Sequence, residues 1–277
     1  MTHSIHEHTC FPFQRLNENF AFGENAPGGW LSIHDFPLII MVGLTGTGKS
    51  TSIHALLNTG KKLTLLPDRR TLTNQIIIPM MHQGKNKKKS LDRSERFACT
   101  RRFRKRYPGG MSYILSKLYA QSGKTDGYFL FDGIRGENEI DYAAQFLPSA
   151  RFVVLHTPDE IRVRRLLTRN DSFDKIVCKT ALNNNIFSSK YMKISGLNDI
   201  LNDIQKNTLL KWAKEHNVSS EALHEKLSIV ISESLNYNSK KMMTAFNKEP
   251  TKNRAYFFDT SSTSSRKIVE TIVNQLF

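Results

Sequence analysis

A glycine-rich stretch carries the residue types that hold phosphate. The octapeptide GLTGTGKS at positions 43–50 fits the pattern G-x-x-x-x-G-K-[ST] at every fixed position. Glycines let successive backbone N–H groups curve around phosphate oxygens, the lysine reaches the β- and γ-phosphates, and the serine hydroxyl can hold Mg²⁺. Lys49 is therefore also a predicted catalytic residue and Ser50 a predicted magnesium ligand. The predicted nucleotide-binding residues are Gly43, Thr45, Gly46, Thr47, Gly48, Lys49, Ser50 and Thr51.

The segments on either side of the octapeptide match the context that this motif requires. The apolar run LIIMV at 38–42 predicts a short buried strand, and the residues after Lys49 are compatible with a helix. The octapeptide alone occurs by chance in unrelated loops, whereas a strand before it and a helix after it are specific. Such a helix points its positive end at the same anion. An ordinary glycine-rich turn is the weaker alternative, and we predict a P-loop that binds a nucleoside triphosphate.

A second carboxylate site is predicted at the end of another apolar strand. Residues 128–133, YFLFDG, form a short hydrophobic run that ends in Asp132. In P-loop proteins an aspartate in this order binds Mg²⁺ directly or through water. Asp132 is therefore a predicted metal ligand and catalytic residue.

The neighbours of Asp132 favour transfer over hydrolysis. Gly133, Ile134 and Arg135 follow it, so no glutamate stands beside it to activate water. A GTPase would carry an Asn-Lys-x-Asp motif, and neither Asn-Lys pair of the chain continues to such an aspartate. These absences favour transfer of phosphate to an organic acceptor.

The acceptor is predicted to bind after the second strand, at about 63–66, which ends in Pro67-Asp68-Arg69-Arg70. Ligands of open α/β sheets bind at this carboxyl edge. Asp68 is a candidate to orient an acceptor hydroxyl or take its proton, and Arg69 is a candidate substrate ligand. A turn-forming aspartate after proline is an equal alternative for Asp68.

The chain has a net charge of +15, and its densest basic stretch is residues 85–106, which contains eleven Lys or Arg. The lysines at 85–89 have polar neighbours and predict a solvated loop. The arginines at 101–106 alternate with Phe103 and Tyr107, which predicts that this part packs. A net positive charge of this size is compatible with binding to nucleic acid, to an anionic membrane surface or to a phosphorylated substrate.

Strands and helices alternate along most of the chain, which predicts an α/β fold with a parallel sheet of about five strands in three layers, as in P-loop NTPases. From about Asp171 to Pro250 the pattern is only helical. The predicted organisation is an irregular leader at 1–35, a P-loop core at 36–172, a helical insertion or lid at 173–252, and the last strand and helix at 253–277.

Four segments resemble the P-loop nucleoside and nucleotide kinases, in particular the adenylate kinase and dephospho-coenzyme A kinase branch. They are GLTGTGKST at 43–51, FDGIRGENE at 131–139, RVRRLLTR at 162–169 and FDTSS at 258–262. The resemblance implies ATP and Mg²⁺ as cofactors, with Asp132 near the metal. It implies that Arg135, Arg102 and Arg104 lie near the acceptor phosphate, and that Arg165 and Arg169 lie near the transferring phosphoryl group. The leader and the insertion are outside it.

The predicted function is an ATP- and Mg²⁺-dependent kinase whose acceptor is a nucleotide or another small phosphorylated molecule. Two alternatives remain open. One is a P-loop NTPase that associates with nucleic acid, or a polynucleotide-end kinase, in which the basic stretch 85–106 binds the phosphate backbone. The other is a slow NTPase regulator whose helical insertion binds a protein partner.

Cysteine use and hydropathy indicate a cytoplasmic protein without a membrane partner. The three cysteines are far apart and odd in number, which argues against a disulfide framework. The sequence shows neither an apolar run of membrane-spanning length nor a secretory signal. Cys10 lies near His3, His6 and His8, but no second thiol or carboxylate cluster completes a metal site, so a polar tail is the better interpretation.

Overall fold

A five-stranded parallel sheet forms the centre of the molecule. The computed structural model describes residues 11–82, 93–169, 194–237 and 239–277. Its strands are β4 (Leu38–Val42), β5 (Leu63–Leu65), β7 (Tyr128–Ile134), β8 (Ala150–His156) and β9 (Ala255–Asp259). Their order in the sheet is β5-β7-β4-β8-β9, with the strand that precedes the glycine loop in the middle.

Side chains of the middle strand alternate between two apolar cores. Ile40 and Val42 face one cluster, whereas Ile39 and Met41 face the other. This alternation follows from the two-residue period of a strand, and it explains why the whole LIIMV run is apolar, since a parallel sheet is covered on both faces.

Helices cover both faces of the sheet. One face carries α1 (Lys49–Leu57) and α12 (Ser265–Leu276), which contact each other. The other face carries α5 (Gly110–Leu115), α6 (Glu137–Phe146) and α11 (Ser239–Ala245). The predicted three-layer α/β fold with a parallel sheet of five strands is confirmed.

The leader is not irregular over its described part, and this corrects the sequence prediction. Residues 11–35 contain β1 (Gln14–Arg15), β2 (Phe20–Phe22) and β3 (Trp30–Ser32), followed by a 3₁₀ turn at Ile33–Asp35. These strands join β6 (Leu118–Gln121) in an antiparallel sheet of order β1-β2-β6-β3. The sequence also predicts an amphipathic helix from Met111 to Tyr119, and this helix ends early because Leu118 and Tyr119 belong to a strand that pairs with the leader.

The segment after β5 is helical. It comprises α2 (Arg69–Leu72), a π-helical turn at Thr73–Ile77 and α3 (Ile78–His82). The basic segment forms α4 (Arg93–Arg106), which packs against α3 and α5. The lysines at 85–89 lie outside the described residues.

The described part of the predicted insertion is also helical. It forms α8 (Leu197–Ile200), α9 (Asp203–Glu215) and α10 (Ser220–Asn236), which share an apolar core with α7 (Asp159–Leu167). Through that core α10 lies beside the helix that follows β8. Within the described ranges, no helix is both long enough and apolar enough to cross a membrane.

Candidate active site

The glycine loop lies between β4 and α1, and its glycines adopt backbone angles that other residues rarely take. Gly46 and Gly48 have φ of 86° and 90°. A Cβ at Gly43 would lie 2.5 Å from the carbonyl oxygen of Leu155, so this glycine allows the loop to pack against β8. The loop thus turns its backbone toward the start of α1, which is the arrangement that binds phosphate.

Strand register brings Asp132 beside the loop. Met41, at the end of β4, pairs with Asp132 of β7, and a bulge follows because Val42 pairs with Ile134. Lys49, the first residue of α1, lies with its Nζ atom 3.8 Å from Oδ1 of Asp132. The two predicted catalytic groups are therefore neighbours.

Lys49 is buried and folds back onto the loop. Its Nζ atom donates a hydrogen bond to the Leu44 carbonyl oxygen at 3.0 Å. Burial lowers the pKa of the Lys49 ammonium to about 8, although the carboxylate of Asp132 opposes that effect. A second anion beside Lys49, such as the phosphates of a nucleotide, would raise this pKa again because it favours the charged form.

Asp132 and Ser50 both line the cleft, and their side chains carry oxygens, the ligand atoms that Mg²⁺ prefers. No described residue donates a hydrogen bond to Oδ1 of Asp132, although this atom is shielded from solvent. A buried carboxylate oxygen without a donor is satisfied by a cation. Mg²⁺ is usually held by one or two protein oxygens together with substrate phosphates and water, so no larger ligand cluster is required. Among the described residues, there is no cluster of three or more His, Cys, Asp or Glu side chains that could hold a metal.

A cleft of about 780 Å³ opens in front of the loop. Its volume is typical of pockets for small molecules. The loop side of the cleft includes Thr45, Gly46, Gly48, Lys49, Ser50, Thr51 and Asp132. The rest of its lining includes Asp68, Arg69, Arg70, Arg96, Phe97, Arg135, Arg165, Arg169, Tyr237 and Thr260. Of the predicted nucleotide-binding residues, Gly43 and Thr47 belong to the loop but do not line the cleft.

Two arginines that the resemblance places near the transferring phosphoryl group line the cleft: Arg165 of α7, and Arg169 just after the end of that helix. Arg165 donates hydrogen bonds to the Gly46 carbonyl oxygen at 3.2 Å and to both oxygens of Thr260 at 2.8 and 2.6 Å. Thr260 in turn donates to the Thr47 carbonyl oxygen at 3.0 Å. Arg165 therefore ties α7 and the turn after β9 to the glycine loop.

Asp68 and Arg69, at the start of α2, also line the cleft and have local structural roles. Asp68 is exposed and caps α2, where its Oδ1 accepts a hydrogen bond from the Thr71 backbone N–H at 2.7 Å. Arg69 makes a two-bond contact with the carboxylate of Glu139 at 3.0 and 3.1 Å, and donates to the Tyr237 hydroxyl at 2.9 Å. Both line the cleft, but both Nη atoms of Arg69 already donate hydrogen bonds to buried side chains.

Glu139 is almost fully buried under this contact. Burial alone would raise the pKa of the Glu139 carboxyl, but the charge of Arg69 and backbone N–H donors from Arg135 and Met111 outweigh it. The net pKa lies below its ordinary value, so Glu139 is a charged anchor between β7, α2 and α5.

The structure does not bring Arg102 and Arg104 to the cleft, in contrast to the prediction from resemblance. Arg104 lies over the Tyr237 ring, 4.5 Å from its centroid. Arg102 donates to the Cys99 sulfur at 3.3 Å and lines a second cavity of about 610 Å³. The reason is the orientation of α4, whose buried Phe103 and Cys99 fix which arginines point away from the loop. Arg96 of the same helix reaches the cleft instead.

Sequence reasoning missed Glu233, a fully buried glutamate of α10 that contacts the glycine loop. It accepts a hydrogen bond from the Thr45 backbone N–H at 2.9 Å, and it pairs with Arg135 and Arg162. One signal was present: Glu233 follows Ile229 and Val230 at helical spacing, so it lies on the apolar face of its helix.

The sheet, the glycine loop and Asp132 on the neighbouring strand define a P-loop NTPase fold. Two solved kinase structures resemble it at low identity. The unliganded sugar kinase from Janibacter sp. HTCC2649 is 13% identical, with 87% of this chain and 94% of that chain covered and a TM-score of 0.37. Shikimate kinase from Acinetobacter baumannii, in complex with shikimate, is 15% identical, with 88% and 98% covered and a TM-score of 0.40. No protein-family model matches the sequence, and no curated protein gives a significant match.

TM-scores this low say nothing of activity or substrate. The resemblance to the adenylate kinase and dephospho-coenzyme A kinase branch therefore stays a prediction.

Proposed function

We propose that this protein is a kinase that uses ATP and Mg²⁺ to phosphorylate a nucleotide or another small phosphorylated acceptor. The observation that carries the proposal is that the glycine loop, Lys49 and Asp132 line the same cleft as Asp68, Arg70 and Arg96. The first group would hold a triphosphate donor, and the two arginines of the second group would hold an anionic acceptor.

The donor side would hold the nucleotide through the backbone of residues 45–51 and through Lys49. Ser50 and Asp132 would hold Mg²⁺, which neutralises charge on the phosphates when it is bound. Arg135, Arg165 and Arg169 lie around the same space. Phosphoryl transfer depends mainly on positioning and on neutralising the moving group, and guanidinium groups supply both.

The carboxylates of the cleft favour transfer over hydrolysis. Among the described residues that line it, only Asp68 and Asp132 carry a carboxylate. Asp132 lies beside Lys49, where a metal would be held, and Asp68 lies at the start of α2 on the acceptor side. In this proposal Asp68 would orient an acceptor hydroxyl, and no second carboxylate among the described lining residues would activate water beside the phosphates.

The direct test is transfer of labelled γ-phosphate from ATP to a panel of nucleosides, nucleotides, cofactor precursors and oligonucleotide ends. We expect one acceptor class to be phosphorylated, with a loss of at least about 100-fold in Lys49→Ala because a charged donor to the phosphates is removed. Equal ATP loss with and without every acceptor would show an NTPase instead. Undiminished transfer by Lys49→Ala would contradict the site.

A second candidate function, phosphorylation of a polynucleotide end, rests on the second cavity. This cavity lies between α4 and α10, and Arg101, Arg102 and Lys105 line it. Phe97 lines both this cavity and the main cleft, so the two adjoin. A cationic groove with an aromatic side chain along it is the arrangement that binds single-stranded nucleic acid.

Salt dependence separates the two candidates. A polynucleotide acceptor predicts binding that weakens steeply with salt, and the double variant Arg101→Gln/Lys105→Gln would reduce the slope by about 2 because each neutralised phosphate releases counterion. The control is Lys214→Gln, which removes an exposed charge of α9 away from the cavity. No oligonucleotide affinity at low salt would leave only the small acceptor.

A further inference from the structure

Glu233 is a fully buried carboxylate that joins the helical insertion to the glycine loop. Its Oε2 atom accepts hydrogen bonds from the Thr45 backbone N–H at 2.9 Å and from Arg162 Nη2 at 2.7 Å. Its Oε1 atom accepts from the Thr45 hydroxyl and from Arg135 Nη1, the latter at 2.6 Å. Thr45 and Glu233 are 188 positions apart in the chain.

The cost of burying this charge argues against an incidental contact. A carboxylate removed from water is tolerated only when partners of opposite charge and hydrogen-bond donors replace the water. Two guanidinium groups and both donors of Thr45 do so here. Because both oxygens are occupied and shielded from solvent, Glu233 is suited to hold its neighbours and not to exchange a proton with an acceptor.

Arg162 and Arg135 have different positions around this carboxylate. Arg162 is buried, and its Nε atom donates to the Thr45 carbonyl oxygen at 2.8 Å. Thr45 is therefore fixed on both sides of its backbone. Arg135 lines the cleft, and it follows Asp132 by three residues at the end of β7.

Arg135 is anchored at two points. Its backbone N–H donates to Glu139 at 3.0 Å, and its Nη1 atom is held by Glu233. A guanidinium has five donors in a rigid plane, so fixing one Nη atom fixes the direction of the others. Arg135 lines the cleft together with Asp132 and the glycine loop, and its buried Nε atom has no hydrogen-bond partner among the described residues.

We propose that Glu233 is a positioning residue that fixes Arg135 toward the transferring phosphoryl group, so that the helical insertion takes part in the transfer step. The proposal rests on the proposed function, since Arg135 acts on the moving phosphate. Arginine contributes mainly in the transition state, where a small misplacement costs rate more than it costs binding.

Steady-state kinetics of Glu233→Gln separate positioning from a general loss of structure. We expect kcat to fall about 100-fold while KM for ATP changes by less than about 3-fold. Glu221→Gln, an exposed glutamate at the start of the same helix, is the matched control. If Glu233→Gln does not fold, Glu233→Asp keeps the charge but draws it back by one methylene, and the same loss of kcat is expected.

A double-mutant cycle tests whether the effect passes through Arg135. In an Arg135→Gln background the further substitution Glu233→Gln is expected to change kcat by less than about 3-fold, because the group to be positioned is gone. If the double variant instead loses kcat by the product of the two single-variant losses, the proposal is overturned. So would tighter ATP binding in Glu233→Gln, which would show that the carboxylate competes with phosphate.

A binding measurement gives a readout that does not depend on turnover. ADP with Mg²⁺ and aluminium fluoride mimics the transferring phosphoryl group. We expect Glu233→Gln to retain its affinity for ADP and to lose about 100-fold of its affinity for this complex, measured by calorimetry. If the wild type and Glu233→Gln bind ADP with Mg²⁺ and aluminium fluoride equally tightly, the role proposed for Glu233 is overturned. Absence of transfer by the wild type to any acceptor would instead overturn the proposed function.

Discussion

Lys49 Nζ lies 3.8 Å from Asp132 Oδ1, and two separate parts of the fold set this distance. The glycine loop places Lys49 at the first position of α1, whereas the pairing of Met41 with Asp132 places the carboxylate two residues before the end of the neighbouring strand. The ammonium is buried and the carboxylate is partly exposed to the cleft. A cation held by Asp132 and phosphates held by Lys49 would therefore occupy adjacent space.

The first prediction is that affinity for ATP falls as the pH rises through about 8. Burial lowers the pKa of Lys49 to about 8, so the free protein carries the charged ammonium below that pH and loses it above. Bound phosphates favour the charged form, so binding above about pH 8 must take up a proton. Calorimetry in buffers of different ionisation enthalpy measures both the affinity and the proton uptake.

The control for this prediction is Lys49→Met, which should bind ATP weakly and with little pH dependence between about pH 7 and 9. Wild-type affinity that stays constant across the same range, without proton uptake, would show that Lys49 does not titrate there.

The second prediction concerns the magnesium dependence of nucleotide binding. Asp132→Asn should bind ATP without Mg²⁺ as well as the wild type or better, because a negative charge beside the phosphates is removed. It should gain little affinity when Mg²⁺ is added, and transfer should fall about 100-fold. Titration of ATP with and without Mg²⁺ checks this.

The matched control is Asp126→Asn, which removes an exposed carboxylate paired with Lys62 outside the cleft. It should keep the magnesium dependence of the wild type. If Asp132→Asn also keeps it, Asp132 does not hold the metal.

Much of the core was predictable because its signals are local. The run LIIMV, the glycine loop and the strand ending in Asp132 each combine a buried apolar segment with a residue type that phosphate or metal chemistry requires. The observed strands β4, β7 and β9 lie where the sequence placed them. Since parallel strands end at one edge, the proximity of Asp132 to the loop also follows from the pattern.

The parts that could not be predicted depend on distant partners. The strands of the leader are two or three residues long, and they depend on pairing: β2 and β3 pair with Leu118–Gln121, and β1 pairs with β2. Arg102 and Arg104 are separated from the cleft by the packing of α4, which charge density does not reveal. The contact of Glu233 with Thr45 depends on how α10 docks beside α7, which no local spacing encodes.

The third prediction is that the pair formed by Arg69 and Glu139 stabilises the fold. The side chains are only 12% and 1% exposed, so removal of either partner leaves a buried charge without compensation. Arg69→Met should lower the free energy of unfolding by about 3–5 kcal/mol, measured by urea denaturation. Lys62→Met breaks an exposed pair, 75% and 71% exposed, and should leave stability unchanged within error. A similar small effect in both variants would contradict this role of Arg69.

The fourth prediction separates backbone strain from phosphate binding at the glycine loop. Gly48 and Gly60 both have positive φ, 90° and 73°, and an added Cβ would meet no atom closer than 3.7 Å at Gly48 and none within 4 Å at Gly60. Gly48→Ala and Gly60→Ala should therefore each lower the free energy of unfolding by about 1–2 kcal/mol.

Only Gly48→Ala should also weaken ATP binding, by about 10-fold or more, because its Cβ would point at Arg165 and Thr260 where the loop backbone must approach phosphate. Gly60 lies beyond α1, outside the cleft, so its variant should bind ATP as the wild type does. Equal loss of affinity in both variants would mean that general destabilisation, and not the shape of the loop, governs nucleotide binding.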